Sequence, residues 1–174
     1  MKKIFFTILL SFLVLAFMSA TAQTKLIEKK VGHAYYLSVP NYMTETKDLN
    51  KSATLQYQNI LKQAYVIVIE DNKAELDSLG MKFTDPQEFY DGFITDFTSG
   101  LENKTFIGPK GLKIGKNNAV QGEVSAKFDG SPIWYLITVV ETPTHFYKII
   151  SWTLVGNKDK LKQDYIKMVN SFHE

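Results

Sequence analysis

The sequence contains no cysteine and no arginine, and has three histidines among its 174 residues. Each shortage removes a class of chemistry. Without cysteine there is no thiol nucleophile and no disulfide framework, so the fold must stand on its core alone. The histidines His33, His145 and His173 show neither H-x-x-x-H spacing nor an acidic partner at fixed spacing, so the sequence holds no local zinc signature. His33 and His145 read as turn residues and His173 as part of a frayed terminus. Two of them could converge only if the turn at 145 met the segment 35–39 in space.

Several motifs are also missing. No G-x-S-x-G elbow occurs, and Ser131 in Asp129-Gly130-Ser131-Pro132 falls in a hairpin turn, where no strand-to-helix strain presents it. A scattered Ser/His/Asp triad stays open, because triads are defined by geometry. The glycine- and lysine-rich stretch from Gly108 to Lys116 fails the phosphate-loop pattern: three residues separate Gly111 from Gly115 where four are needed, and Asn117 stands where Ser or Thr belongs. Its lysines Lys104, Lys110, Lys113 and Lys116 could meet an acidic partner or an anionic headgroup surface, or simply be solvated. The D-x-D-x-D-G calcium order is absent from 71–82. Glu88 and Asp91, and the group Glu70, Asp71, Glu75 and Asp77, read as solvent-facing carboxylates, without the burial that acid/base work requires.

The amino terminus has the form of an export signal. Lys2 and Lys3 precede an apolar run from Ile4 to Phe17, and Ser19-Ala20-Thr21-Ala22 sets small residues ahead of Gln23 as signal peptidase accepts them. A retained anchor would need about 20 apolar residues, and the run breaks earlier. Since no cysteine follows it, a lipid-modified terminus is excluded. Cleavage after Ala22 removes only Lys2 and Lys3 among charged groups, so the formal charge falls from +2 to 0. A neutral mature chain argues against nucleic acid as a partner. The expectation is a secreted or periplasmic chain with no integral membrane segment after cleavage. The remaining chain of about 150 residues can bury roughly 68–70% of its unfolded surface, so residues 23–174 suffice for one domain.

Strand signals dominate the mature chain. Residues 25–30 can pair with 35–39 across Gly32, and Pro40 ends the second strand. Residues 41–51 read as an irregular connection. Ala53 to Gln58 alternates, which predicts a strand with one wet face. The unbroken run Tyr65-Val66-Ile67-Val68-Ile69 belongs to a strand covered on both faces. The stretch from Ile133 to Glu141 has the same character, with Ile133, Tyr135, Ile137 and Val139 on one face and Trp134, Leu136 and Val140 on the other. It pairs backwards with 119–128 through Asp129-Gly130 and forwards with 146–155 through Thr142-Pro143-Thr144-His145. Residues 103–118 read as a loop with at most one short strand.

Covered strands need layers above and below, and three segments supply helices. Residues 72–79 form a short one closed by Gly80. Asp85 as N-cap, Pro86 at the first position and Glu88 at the third begin another, whose stripe is Phe89, Tyr90, Phe93, Ile94, Phe97 and Leu101, ending at Gly100. Leu161, Tyr165, Met168, Val169 and Phe172 mark the last, with Lys158, Lys160, Lys162 and Lys167 mostly in water.

The order of these elements is similar to a known group. From Leu37-Ser38-Val39-Pro40 through Leu55-Gln56-Tyr57, Val66-Ile67-Val68-Ile69, Phe89-Tyr90 and Phe93 to Trp134-Tyr135-Leu136-Ile137-Thr138 and the terminal Val169-Asn170-Ser171-Phe172, the chain resembles the PsbP-like superfamily. That group includes the extrinsic photosystem II subunit, DcrB-type exported bacterial proteins and the Ran-binding import factor Mog. The resemblance implies an α/β/α sandwich with a mostly antiparallel central sheet and helices on both faces, acting as an interaction or assembly module. It carries over no site residues.

Aromatics are 13% of the chain, enough to ask which of them lie outside the core. Tyr42 and Met43, and Phe146 and Tyr147, have no helical stripe to explain them and are the candidate partner-binding residues. No catalytic residue, metal or cofactor is indicated. The expected function is a non-enzymatic envelope module that binds a protein. The alternatives are a carrier of a small apolar or amphipathic ligand, and a hydrolase without a recognisable motif.

Overall fold

The structure, a computed structural model, describes residues 23–32 and 34–174. The expected export signal at 1–22 and the reading of His33 as a turn residue lie outside the described residues. The described chain runs β1 (Leu26–Val31), β2 (Tyr35–Pro40), β3 (Thr44–Glu45), β4 (Leu55–Asn59), β5 (Ala64–Asn72), α1 (Lys73–Ser78), α2 (Pro86–Phe97), β6 (Glu102–Ile114), β7 (Asn117–Phe128), β8 (Ser131–Glu141), β9 (His145–Leu154) and α3 (Lys158–Asn170). Among the described residues no helix is long and apolar enough to cross a membrane.

Seven strands form one antiparallel sheet in the order β3-β4-β5-β9-β8-β7-β6, and β1 and β2 make a separate hairpin. The chain is thus an α/β protein built on a large antiparallel sheet with a few helices. Side chains of a strand alternate between the two sides of the sheet, and two apolar clusters follow that alternation. Val66, Val68, Trp134, Leu136, Tyr147 and Ile149 share one cluster with β2 and the α3 residues Leu161, Tyr165, Met168 and Val169. Ile67, Tyr135, Ile137, Phe146 and Ile150 share the other with Phe89 and Tyr90 of α2.

Local chemistry sets the helix starts. Asp85 accepts from the Glu88 amide, and Asn72 accepts from the Ala74 and Glu75 amides. Glu88 reaches back to the amide and hydroxyl of Thr84, at 2.7 and 2.9 Å, one residue before the N-cap. α2 ends at Phe97 with Thr98 as C-cap, short of Gly100.

Four expectations are corrected. Residues 103–118 are mostly the thirteen-residue strand β6 and its turn into β7. The expected wet face of 53–58 is wet only in part: Thr54 is exposed and Gln58 half-buried, but Gln56 is buried, its Oε1 accepting from the Leu49 and Asn50 amides at 2.9 Å and its Nε2 donating to the Asn50 carbonyl at 2.7 Å. Lys158 and Lys162 are half-buried and converge on Glu123. His173 is not frayed, because it bridges to Tyr36 in β2 and stacks on its ring at a centroid distance of 4.8 Å.

Candidate functional site

β6 is the edge strand that determines what this sheet can offer a partner. It pairs with β7 along one side and ends the seven-strand order, so its other side presents backbone donors and acceptors outward. Register shifts between Glu102 and Thr105, and between Ile107 and Lys110, break its regularity. Gly108 sits in the second with φ +88°, and a Cβ there would lie 3.3 Å from the Gln121 carbonyl oxygen, so this position needs glycine. Between these shifts the strand exposes Phe106 at 50% and Ile107 at 53%, beside the exposed lysines Lys104 and Lys110. Ile107, Gly108, Lys110, Leu112 and Gly122 line an open hollow of about 300 Å³.

Behind the edge, Glu123 of β7 collects cations. Lys158 lies 2.8 Å from its Oε2, Lys162 contacts Oε1, and the Trp134 indole donates to Oε2 at 3.0 Å. Burial opposes the charge on this carboxylate, but the bonds from Lys158, Lys162 and Trp134 outweigh it and hold the group below its usual range. Lys158 also stands 5.3 Å from the Trp134 ring centroid. These contacts fix α3 to the sheet.

The four candidate residues read from sequence do not share one surface. Phe146 and Tyr147 are neighbours in β9 pointing into the two clusters, and both are buried. Met43 is buried as well. The exposure on which their choice rested is therefore absent: an apolar pair beside a turn has no helical stripe when it starts a strand covered on both faces. Tyr42 is half-buried at a second hollow of about 330 Å³ lined also by Thr24, Leu61, Lys62, Lys160 and Asp164. Its hydroxyl donates to Asp164 at 3.0 Å, and burial together with that carboxylate pushes the phenol well above its ordinary value.

Two further ion pairs tie the start of α1 to β8, and β5 to β9. Lys73 binds Glu141 at 2.7 Å, and Lys148 binds Asp71 at 2.8 Å, so Asp71 is not a free solvent-facing acid. His145 contacts Thr144 at 2.9 Å and Asn72 at 3.3 Å, and Ser131 is exposed at the start of β8. Among the described residues no three His, Asp or Glu side chains are grouped as metal ligands. Sequence reasoning missed Phe106 and Ile107, whose adjacency between Thr105 and Gly108 is the signal that could have marked them.

The fold has counterparts among solved structures. Cyanobacterial PsbP from Synechocystis superposes with a TM-score of 0.63 at 13% identity, over 89% of this chain and 95% of that one. The chain has a PsbP-like fold. LpqN, described as involved in cell envelope biogenesis of Mycobacterium tuberculosis, superposes with a TM-score of 0.62 at 12% identity, over 86% and 90% of the two chains. A Pseudomonas aeruginosa protein of unknown function does so with a TM-score of 0.53 at 8% identity, over 84% and 94%. No family model and no curated protein matches the sequence.

Proposed function

We propose that this PsbP-like chain is an exported, non-enzymatic module of the bacterial cell envelope that binds a protein partner along β6. The observation that carries the reading is the open edge itself, where Phe106 and Ile107 are about half exposed between lysines. Adjacent apolar groups rimmed by charge are the composition of a contact patch. The α/β/α arrangement, with helices on both faces, belongs to this reading and is supported by the division of α2 and α3 between the two clusters. Export is supported by the Lys2-Lys3 start, the apolar run and the small residues up to Ala22. The envelope assignment draws support from the likeness to LpqN.

The test is a photo-reactive residue placed at Phe106 in the host, with a second at exposed Lys167 as control. A discrete protein adduct from 106 and none from 167 is expected. Its loss on Ile107→Asp, with the fold intact by circular dichroism, would complete the case. The same silence at both positions would remove β6 as the binding surface.

A further inference from the structure

The β4–β5 connection exposes two neighbouring apolar side chains, Ile60 at 68% and Leu61 at 97%. The turn does not need them. Asn59 closes it by accepting from the Lys62 amide at 2.8 Å, and Gln63 carries the positive φ of 52°. The pairings Phe128 with Ser131, Ile133 with Leu154 and Tyr65 with Trp152 bring two further exposed residues, Phe128 and Val155, to this same end of the sheet.

The chain also enters the domain here. The Thr24 hydroxyl donates to Asp164 at 2.8 Å, and Thr24, Leu61, Lys62 and Lys160 line one hollow. Thr24 therefore marks the chain's entry beside Leu61, and the apolar run from Ile4 to Phe17 precedes it in sequence. We infer that this end is a bilayer contact, in which Ile60 and Leu61 enter the interfacial layer of an anionic membrane while Lys62 and Lys160 meet the headgroups. A bilayer fits better than a polypeptide because the apolar pair caps a hairpin tip and lies where a membrane-seeking segment meets the fold. One apolar pair binds weakly and reversibly, and stable attachment takes a second signal. The run at 4–17 supplies it while it remains attached. This contact is independent of the β6 reading.

Because the chain has no cysteine, Leu61→Cys creates a single labelling site. Leu79→Cys, 71% exposed just past α1 and so beyond the far end of β5, is the control. Each full-length variant, carrying an environment-sensitive dye, is mixed with phosphatidylethanolamine–phosphatidylglycerol vesicles. A blue shift and quenching by lipid-borne spin labels are expected at 61 and not at 79. Silence at 61, equal responses at both sites, a response at 79 alone, or no association with vesicles would overturn the proposal. Ile60→Glu with Leu61→Glu should lower the vesicle-bound fraction of the mature protein, from Gln23 onward, at least threefold while leaving its circular dichroism unchanged. An undiminished bound fraction also overturns it. Any of these failures leaves crosslinking from Phe106 unaffected, so the two readings fail separately.

Discussion

The hydroxyl of Tyr90 occupies the space that a side chain at Gly122 would need. A Cβ there would fall far inside van der Waals contact with the hydroxyl oxygen and 3.1 Å from the Cζ behind it. This close approach seats α2 on β7, and only glycine permits it. Gly122→Ala should destabilise the protein by about 1–3 kcal/mol, the usual cost of overpacking. Adding Tyr90→Phe should recover part of the loss, since it removes the offending oxygen. Urea unfolding of both variants measures this, and a neutral Gly122→Ala would mean that α2 docks differently.

Glu123 gives the fold an acid-sensitive fastening. Its carboxyl is held below its ordinary value against the opposing effect of burial, so the stabilisation is present at neutral pH and is lost as pH falls through the ordinary carboxylate range and below. Glu123→Gln should therefore lower the melting temperature most at pH 7, with the gap to the native protein closing towards pH 3. A gap that stays constant with pH would sever the link to ionisation.

Six tyrosines titrate late. Burial pushes Tyr90 up to about 12, and drives Tyr35, Tyr42, Tyr135, Tyr147 and Tyr165 upward as well. Folded values above the unfolded one contribute stability fully present below the unfolded pKa near 10, and lost as pH rises through the folded values. Spectrophotometric titration of the native protein should leave Tyr35, Tyr42, Tyr90, Tyr147 and Tyr165 unionised at pH 10.5. They should then titrate together as alkali unfolds it. Ionisation of all nine tyrosines in one step near pH 10 would contradict the burial.

How much of this was legible depends on which residues face water. The Asp129-Gly130 turn was readable because both positions carry positive φ, 48° and 73°, which that residue pair accommodates, and alternation continues on each side. The α2 start was readable from Asp85 and Pro86. β6 was not. An edge strand exposed on both faces has no apolar period, and two register shifts reset what parity remains. Phe146 and Tyr147 misled for the converse reason, since adjacent apolar residues in a strand covered on both sides look like an unassigned patch. The place of His173 beside Tyr36 depends on a bridge between the two ends of the domain, which no local pattern encodes.

Tyr165 joins α3 to the centre of the sheet through one oxygen. Its hydroxyl donates to the Trp152 carbonyl at 2.8 Å and accepts from the Tyr65 amide at 3.2 Å, spanning neighbouring strands β9 and β5. The side chain is fully buried, so Tyr165→Phe keeps the packing and deletes only the bridge. Two backbone groups then lose a partner where water has little access. The expected cost is about 1–3 kcal/mol, the penalty for leaving buried polar groups unpaired. It should appear as a lower urea midpoint with an unchanged slope, because the surface exposed on unfolding stays the same. An unshifted midpoint would show that both groups find other partners, and that packing alone holds α3 in place.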